Sequence, residues 1–363
     1  MAHSPDRIVA TFEVRHRQYL DETGTALCEL PALASDGDFL RRVYRGMKLA
    51  RALDAKCVNL QRTGRSGTYA TSLGQEAVPI GVASAMRASD VFVPSYREGS
   101  AQIWRGVLVD DILHYYGGSE RGQAWTAPSA ARDLPTCITV GNHALHAAGV
   151  AAALKLRGEE AAAVCVFGDG ATSKGDVYAA INVAGAWHLP VVFVVCNNHW
   201  AISTPRSLQS AAETLAQKGI AGGIAVIQVD GNDVLAVHDV VAEALARARG
   251  GGGATFIECL TYRINDHNTA DDSTRYRDPR EVEEHRARCP VLRLRAYMEQ
   301  CGKWSDADEA ALSAEIAEEI DAAVERYLNA PGEDPGAMFD HLYAELPTAY
   351  EAQRAEAVRH GHG

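Results

Sequence analysis

The chain has 363 residues, of which 47% are hydrophobic and 23% are charged, and its formal net charge is −12. This composition supports a sizeable core and excludes an intrinsically disordered chain, while the negative charge argues against nucleic acid or an anionic membrane as partner. No apolar run approaches the ~18 residues of a membrane span, and the N-terminus lacks the apolar core of a signal peptide, so we expect a cytoplasmic protein.

The chain begins with an arm and a helix. Residues 1–35 show no sustained hydrophobic period, and we interpret them as an N-terminal arm. From residue 39 to about residue 62, apolar side chains recur every three or four positions, which predicts an amphipathic helix. The eight cysteines are scattered, with no Cys-x-x-Cys pair, so neither a zinc cluster nor a disulfide framework is expected.

Strand and helix patterns then alternate between about residues 70 and 265. Short β-branched runs predict strands at residues 90–94, 137–140, 162–167, 190–195, 225–229 and 255–260. Alanine-rich patterns predict helices at residues 72–86, 142–156, 176–188, 211–218 and 233–249. Such alternation is typical of right-handed βαβ crossovers, and continuous apolar strands are buried on both faces. We therefore predict an α/β fold with a doubly wound parallel sheet.

The domain organisation predicted from these patterns has three parts. They are the N-terminal arm (1–35), an α/β domain (36–280) and a charged C-terminal helical extension (281–363) with prolines at 290, 331, 335 and 347. The run of four glycines at 250–253 follows a helical pattern ending in arginines, so we interpret it as a helix C-cap and loop rather than a phosphate-binding loop.

Two predicted strands run directly into small oxygen-bearing residues. The strand at 162–167 leads into Gly168-Asp169-Gly170, and the strand at 190–195 leads into Asn197-Asn198. In an open parallel sheet, ligands bind beyond the carboxyl ends of the strands. The glycines allow the backbone to approach a ligand closely, and the start of the next helix favours an anion such as phosphate. We therefore expect an anion-binding crevice at this edge.

Asp169 would repel a phosphate unless a cation lies between them. Mg²⁺ joins carboxylates to phosphates, and a neutral amide carbonyl supplies a further oxygen ligand without adding charge. If the two strands are neighbours, Asp169 and Asn198 converge on one Mg²⁺ site. Each motif alone is usually a turn. A Mg²⁺-dependent phosphatase or nucleotide binder is an alternative, although the chain lacks both standard glycine-rich nucleotide motifs.

Gly-Asp-Gly followed by Asn-Asn resembles the signature of thiamine diphosphate enzymes, and longer blocks are similar to alpha subunits of 2-oxo acid dehydrogenases. These blocks are "RTGRSGTYATSLGQEAVPIG", "PSYREGSAQIWRG", "GDGATSKGDVYAAINVAGAWHLPVVFVVCNNHWAISTP", "VDGNDVLAVHDV" and "TYRINDHNTADDSTRYR", and the resemblance covers about residues 35–350. It implies a thiamine diphosphate-binding fold and the oxidative decarboxylation of a 2-oxo acid, with transfer of the acyl group to a lipoyl domain.

The resemblance also implies roles for individual residues. Asp169 and Asn198 would bind Mg²⁺ through their side chains, and Trp200 through its backbone carbonyl. His267 would be the catalytic residue on a loop over the cofactor, and an ordinary pKa near 6.5 would suit proton transfer at neutral pH. The residues implied to bind thiamine diphosphate are Tyr96, Arg97, Ile138, Val140, Gly168, Gly170, Ala171, Asn198 and His267. The histidines at 143, 146, 188, 199 and 238 are interpreted as packing or surface residues.

Finally, the resemblance implies partners and leaves the substrate open. In this family a glutamate of a separate beta subunit protonates the aminopyrimidine, so we expect an α₂β₂ heterotetramer docked on a lipoyl-bearing acyltransferase core. Pyruvate is the expected substrate. Branched-chain 2-oxo acids such as 3-methyl-2-oxobutanoate are the near alternative, and an acetoin dehydrogenase or a non-catalytic scaffold subunit is less favoured. Asn142-His143, Ala70 and Asn268 depart from the residues common in relatives.

Overall fold

The central sheet carries five of the six predicted strands in a single parallel layer. The computed structural model describes residues 6–340 and 342–361. Its strands are β1 (His16–Arg17), β2 (Val91–Val93), β3 (Ala163–Gly168), β4 (Val191–Asn197), β5 (Trp200–Ala201), β6 (Thr204–Pro205), β7 (Ala225–Asp230) and β8 (Thr255–Leu260). The described residues form a six-stranded sheet in the order β1-β7-β8-β4-β3-β2 with every pair parallel, while β5 and β6 form a small antiparallel hairpin.

The helices follow the sheet in chain order. They are α1 (Gly37–Arg62), α2 (Ala77–Ala85), α3 (Gly99–Trp104), α4 (Val109–Tyr116), α5 (His143–Leu156), α6 (Gly175–Ala186), α7 (Arg206–Gln209), α8 (Gln217–Ile220), α9 (Val234–Arg249), α10 (Pro279–Arg286), α11 (Pro290–Gln300), α12 (Asp306–Asn329), α13 (Ala337–Asp340) and α14 (Thr348–His360). Shorter 3-10 turns include Asp169–Ser173, directly after β3. Helix α9 ends at Arg249 with Gly250 as its cap, so the glycine run is a helix terminus as predicted.

Helices cover both faces of the sheet. Cys165 and Phe167 of β3 pack with α5 and α6 on one face. Val164 and Val166 pack with α2 and α9 on the other face. Because side chains alternate between the faces of a strand, a strand buried on both sides must be apolar throughout, and every residue of β4 is indeed buried. The predicted α/β doubly wound fold is confirmed.

A second layer packs outside the sheet. Helix α1 forms a separate apolar core with α4, α11 and α12, which includes Leu40 and Met47 of α1 and Leu294 and Ile316 of the later helices. The side chain of Asp36 caps α1 by accepting from two backbone N–H groups at 3.0 Å. The C-terminal helices are therefore attached to the sheet through α1, and the boundaries of the three-part division stay a prediction.

Two predicted elements are wrong. The predicted strand at 137–140 makes only an isolated bridge, between Cys137 and Ser95, because β2 ends before Pro94, which has no N–H to extend the ladder. The predicted helix at 211–218 is mostly loop, since the guanidinium of Arg206 occupies the backbone carbonyls of residues 210, 212 and 213. Strand β1, in the arm interpreted as irregular, was not predicted either; it pairs with β7 at the sheet edge.

Within the described part of the chain, no helix combines the length and the apolar character needed to cross a membrane.

Candidate active site

The carboxyl ends of β3 and β4 meet at one edge of the sheet. Gly168 of β3 is paired with Cys196 of β4. Asp169 and Asn198 therefore lie just beyond the ends of two neighbouring strands, one residue step apart along the strand direction. A cavity of about 230 Å³ lies beyond these ends. Every predicted site residue except Ile138 lines it: Tyr96, Arg97, Val140, Gly168, Asp169, Gly170, Ala171, Asn198, Trp200 and His267. Residues separated by as many as 171 positions, Tyr96 to His267, are thus brought to one crevice.

The carboxylate of Asp169 has the properties expected of a cation ligand. Its side chain is 1% exposed, and its Oδ2 atom has no hydrogen-bond partner among the residues that the structure describes. Burial raises the pKa of this carboxyl to about 6, although its own backbone N–H and the Arg263 guanidinium oppose the shift. A buried carboxylate without a partner is unfavourable, and a divalent cation would remove that penalty. Asp169 therefore fits a metal ion.

The turn that carries Asp169 is held from behind. Its backbone carbonyl accepts hydrogen bonds from Gln209 Nε2 at 2.7 Å and from Thr172 Oγ1 at 2.8 Å. Lys218 in turn donates to Thr172 Oγ1 at 2.9 Å. A Cβ atom at Gly170 would lie 2.9 Å from the Cβ of Ala201, so only glycine allows the turn to approach the β5–β6 hairpin this closely. The backbone around Asp169 is rigidly placed.

The two asparagines at the end of β4 have different surroundings. Asn197 donates to Glu258 Oε1 at 2.7 Å on the side of β8 and does not line the cavity. Asn198 does line it, and its Nδ2 donates to Gln75 Oε1 at 2.8 Å, while its Oδ1 accepts from the backbone N–H of Trp200 at 3.2 Å. A carbonyl oxygen has two lone pairs, so Asn198 Oδ1 keeps one for a cation. Of the pair, Asn198 is the candidate ligand.

Trp200 sits in a strained hairpin at the cavity wall. The flanking residues His199 and Ile202 have φ values of 68° and 52°, in the left-handed region that residues other than glycine rarely adopt. Such strain clusters at functional sites because the surrounding structure must impose it. The backbone carbonyl of Trp200 accepts from Arg263 Nη1 at 3.0 Å, so one of its two lone pairs is already engaged.

One guanidinium, that of Arg97, lines the cavity, and a second, that of Arg263, lies behind the Trp200 carbonyl. Arg97 donates to the backbone oxygens of Thr71 and, at 3.2 Å, His267. Arg263 is fully buried, and burial together with nearby Arg97 lowers its pKa to about 10. Across residues 6–340 and 342–361, no carboxylate lies within ion-pair distance of either guanidinium. Uncompensated arginines beside a crevice attract anions, and phosphate most readily.

The imidazole of His267 is neutral and its tautomer is determined by its neighbours. Its Nδ1 lies 3.3 Å from Arg97 Nη2 and 3.5 Å from Arg263 Nη1, and both of those atoms can only donate. Nδ1 is therefore the acceptor, and the proton resides on Nε2. Burial and the two guanidiniums lower the pKa of His267 to about 4. The ordinary value expected from the sequence does not apply in this environment.

The remaining predicted residues lie at the rim of the cavity. The ring of Tyr96 makes an edge contact with His267 at a centroid distance of 6.2 Å, and the Arg97 guanidinium lies 5.4 Å from its centroid. Val140 lines the cavity and is 42% exposed. Ile138 is 66% exposed and lies outside the lining. These apolar side chains are available to contact a ligand or a second protein.

Two cavity residues were missed from the sequence. His143 was interpreted as a packing or surface residue; it is buried, at 1% exposure, but it also lines the cavity. Its Nε2 lies 2.9 Å from the Val166 carbonyl, and its Nδ1 has no partner among the described residues. Gln75 is 2% exposed and its Nε2 is likewise without a partner there. A usable signal existed: both residues lie where a helical pattern begins, and helix N-termini commonly face ligands in this kind of fold.

The chemistry of the donor set favours a magnesium-type site over a zinc-type site. Among the described residues, no three His, Cys, Asp or Glu side chains converge on a position that would hold a metal. Of the two carboxyl groups in the lining, Glu98 already accepts from Ser95 at 2.8 and 2.9 Å. Asp169 and neutral oxygens remain, and these are the ligands that Mg²⁺ takes when phosphates complete its shell. A doubly wound sheet with such a crevice at its strand ends is typical of α/β proteins that bind a phosphate-bearing cofactor.

Comparison with known proteins narrows this class to one family. The family model of the dehydrogenase E1 component matches residues 44–335. The chain is 40% identical over 318 residues to the 3-methyl-2-oxobutanoate dehydrogenase subunit alpha of Mycobacterium tuberculosis, covering 87% of this chain and 86% of that protein. It is 39% identical over 337 residues to the pyruvate dehydrogenase E1 component subunit alpha of Bacillus subtilis, covering 93% and 90%. The corresponding Acholeplasma laidlawii subunit is 37% identical over 350 residues, covering 94% and 99%.

The chain therefore belongs to the dehydrogenase E1 component family, and the resemblance noted in the sequence is confirmed. Members of this family are thiamine diphosphate-dependent oxidoreductases of 2-oxo acid dehydrogenase complexes. An alpha subunit of such a component also implies a beta subunit as its partner.

Proposed function

We propose that this chain is the alpha subunit of a pyruvate dehydrogenase, which decarboxylates pyruvate and transfers the acetyl group to a lipoyl domain. The observation that carries the proposal is the cavity that gathers Asp169, Asn198, Arg97 and His267 at the ends of β3 and β4. The lipoyl disulfide is the electron acceptor in this reaction: one sulfur takes the acetyl group, the other takes a proton, and CO₂ leaves. The relatives from B. subtilis and A. laidlawii, whose matches cover 93% and 94% of this chain, are named for pyruvate.

The cofactor and its metal are assigned to the residues that fit them. Mg²⁺ would be held by Asp169 Oδ2, Asn198 Oδ1 and the free lone pair of the Trp200 carbonyl. The backbone around Gly168, Gly170 and Ala171 would approach the diphosphate of thiamine diphosphate, with Tyr96 and Arg97 beside it, and Ile138 and Val140 would border the aminopyrimidine. When bound, thiamine diphosphate supplies a carbon nucleophile and an electron sink for decarboxylation. The protein supplies binding, orientation and charge.

His267 has a specific role in this proposal. Because its pKa is about 4 and Nδ1 accepts from arginine, the ring is a neutral Nε2–H donor at neutral pH. In a site with little water, a neutral N–H donor stabilises negative charge that develops on a substrate oxygen. Because the donor has no charge of its own, no counter-ion has to be displaced first. We therefore assign His267 the stabilisation of that charge during decarboxylation and acyl transfer, rather than the role of a general base.

The site requires a partner. We propose that a beta subunit covers the cavity in an α₂β₂ heterotetramer, and that the assembly docks on a lipoyl-bearing acyltransferase core. The support on this chain is the exposed apolar rim, where Ile138 is 66%, Val140 is 42% and Ile202 is 56% exposed. Apolar side chains around a cavity mouth are typical of a surface that a second protein covers.

A second substrate is favoured by one comparison. The M. tuberculosis relative, at 40% identity, is named for 3-methyl-2-oxobutanoate, which is a branched-chain 2-oxo acid. The two substrates differ in the size of one alkyl group, and each extra methylene in an apolar pocket changes the preference by only about 1–3 kcal/mol. A few residues at the cavity, including some of the beta subunit, therefore decide between them.

The experiment is co-expression with the beta subunit, followed by measurement of kcat/KM for both 2-oxo acids with a lipoyl domain as acceptor. A higher kcat/KM for pyruvate is expected, together with no activity of the alpha subunit alone. Preference for 3-methyl-2-oxobutanoate would move the assignment to the branched-chain enzyme. Absence of activity on both acids, in a complex that assembles and binds thiamine diphosphate, would overturn the proposal.

A further inference from the structure

Gln75 is a buried cavity residue to which no role has been assigned so far. It lies between the turn at Gly74 and helix α2, and it is 2% exposed. Gly74 has a φ of 91°, and a Cβ there would lie 2.6 Å from the carbonyl oxygen of Tyr262, so only glycine permits this turn. The backbone N–H of Gln75 donates to the carbonyl of Ser72 at 3.0 Å. Its position is fixed by the local backbone.

The backbone N–H of Trp200, which can only donate, determines the orientation of the Asn198 amide and, through it, that of the Gln75 amide. The backbone N–H of Trp200 donates to one side-chain atom of Asn198 at 3.2 Å, and that atom must be the oxygen. The Asn198 NH₂ group therefore faces Gln75, at 2.8 Å, and Gln75 must present its oxygen there. The thiol of Cys196 donates to the same oxygen at 3.4 Å. By elimination, the Gln75 NH₂ group is the end that has no partner among the described residues, and Gln75 lines the cavity.

We propose that Gln75 orients the amide of Asn198 so that its oxygen is presented to the cation, and that the free NH₂ group of Gln75 donates to an oxygen of the bound diphosphate. The proposal rests on the function proposed above. It makes Gln75 a positioning residue for the metal, acting through Asn198, and a direct binding residue for the anionic cofactor.

The physical reason is that an amide meets both needs without adding charge. An amide carries an acceptor and a two-proton donor, whereas a glutamate would add a negative charge to a cavity that already has the carboxyls of Asp169 and Glu98. If nothing accepted from Asn198, its amide could rotate and present NH₂ to the cation, which would repel it. A buried NH₂ group without a partner is costly in a folded protein, and a phosphate oxygen would satisfy it.

The test compares three variants in the assembled complex of alpha and beta subunits. Gln75→Leu removes both functions of the amide. Gln75→Glu keeps an acceptor for Asn198 and replaces the NH₂ group by a second oxygen. Gln102→Leu is the matched control, because Gln102 is 3% exposed and bonds to Thr136 at 3.2 Å but does not line the cavity. The dissociation constant of thiamine diphosphate is measured by calorimetry at saturating Mg²⁺, and that of Mn²⁺ by electron paramagnetic resonance at saturating thiamine diphosphate.

Each variant has a distinct expected signature. Gln75→Leu should weaken Mn²⁺ binding by about 10–100-fold, which is the usual cost of losing a residue that orients a metal ligand, and should also weaken cofactor binding. Gln75→Glu should keep the Mn²⁺ affinity and lose cofactor affinity. Gln102→Leu should change neither constant. If Gln75→Leu does not fold, Gln75→Glu still tests the donated hydrogen bond, and unchanged cofactor affinity in it overturns that part.

A double-mutant cycle separates orientation of Asn198 from a general structural effect. In an Asn198→Ala background, Gln75→Leu should cost no further Mn²⁺ affinity, because the ligand that it orients is gone. Full additivity of the two losses would overturn the orienting role, and so would unchanged Mn²⁺ affinity in the single Gln75→Leu variant. A wild-type complex that binds no thiamine diphosphate would overturn the proposed function and this inference together. If the wild-type complex binds thiamine diphosphate and the Gln75 variants bind both ligands equally well, the inference alone is overturned.

Discussion

Replacing Asp169 by asparagine should change the stability of the complex in opposite directions with and without cofactor. Asp169 is 1% exposed, and its Oδ2 has no hydrogen-bond partner in the described part of the chain. Without a metal, ionisation of this buried carboxyl destabilises the folded state. With a metal, the ionised carboxylate binds the cation and stabilises the complex. An asparagine side chain has nearly the same shape as that of a protonated aspartic acid, so the substitution isolates the charge.

The magnitude follows from the pKa of Asp169, which rises from 3.8 to about 6 in the fold. The unfolded chain ionises Asp169 at lower pH than the folded chain does, so the folded state loses stability as the pH rises from 3.8 to about 6. Two pKa units at 1.36 kcal/mol each give a cost of roughly 3 kcal/mol that is fully present at pH 7. Asp169→Asn should recover most of it, and the gain should shrink as the pH falls from 7 toward 4.

The assay is thermal unfolding of the complex at pH 7, first freed of metal and cofactor by chelation and dialysis and then with saturating Mg²⁺ and thiamine diphosphate. The melting temperature of Asp169→Asn should exceed that of the wild type by a few degrees without ligands, and the rise on adding ligands should disappear. Asp233→Asn is the matched control: Asp233 is also fully buried and burial also raises the pKa of its carboxyl, but it lies outside the cavity lining.

Two outcomes would refute the reasoning about Asp169. One is a lower melting temperature of Asp169→Asn without ligands, which would mean that the buried charge is already compensated within the protein. The other is a full ligand-induced rise in this variant, which would remove Asp169 from the metal site. Asp233→Asn should shift both melting temperatures by the same amount, because Asp233 caps helix α9 and does not line the cavity.

Three further predictions concern catalysis and stability. His267→Ala should bind thiamine diphosphate but fail to acylate a lipoyl domain, as followed by mass spectrometry. Because the pKa of His267 is about 4, the pH profile of the wild-type rate should show no ionisation of this residue between pH 6 and 8. Asp90→Ala, which breaks the ion pair between the fully buried Asp90 and the mostly buried Arg249, should lower the free energy of unfolding by about 3–5 kcal/mol in urea titrations. Gly185→Ala should also destabilise, because its Cβ would lie 1.8 Å from a backbone oxygen, whereas Gly149→Ala in the open should not.

The sheet could be predicted well because its strands are buried on both faces. A strand in that position must be apolar at every residue, so β3 and β4 stand out as continuous β-branched runs, and their predicted bounds differ from the observed ones by one or two residues. The pairing of the strand ends then followed from the tendency of consecutive strands to be neighbours. Because the strand ends could be placed side by side, the proximity of Asp169 and Asn198 could be predicted from the sequence.

The helix before Gln75 shows why part of the site was not predicted. The apolar period suggested a helix from residue 72, but α2 begins only at Ala77. The preceding turn exists because Gly74 adopts a positive φ and the backbone N–H of Ser72 donates to Asp54 at 2.5 Å. The second interaction joins residues 18 positions apart and leaves no periodic signal. The helix predicted from residue 72 placed Gln75 in its first turn, where a ligand contact could have been expected, but the turn that directs its side chain into the cavity was not predicted.

The pKa of His267 could not be derived from the local sequence either. A loop histidine between polar residues suggests a solvated ring with an ordinary pKa, and only the fold reveals Arg97, which is 170 positions away, at 3.3 Å from its Nδ1. Arg263 is near in sequence, four positions before His267, but nothing in the pattern indicates that its guanidinium is fully buried. Which cations are buried next to a titratable ring depends on tertiary packing, so the lowered pKa could not be predicted from the sequence.

The charges of the cavity wall specify what completes it. Arg97 lines the cavity and Arg263 lies behind it, and no carboxylate pairs with either guanidinium among the described residues. Two buried carboxyls also line the cavity: burial raises the pKa of Asp169 to about 6 and that of Glu98 to about 7. Near neutral pH these four groups therefore sum to a net charge between about 0 and about +1. A diphosphate ester carries about −3, and with Mg²⁺ it adds about −1, which keeps the site close to neutrality. A diphosphate alone would leave an excess of about two to three negative charges, and Mg²⁺ alone would leave an excess of about two to three positive charges. In a buried site, where uncompensated charge is expensive, each of the two ligands should therefore bind weakly alone and tightly together.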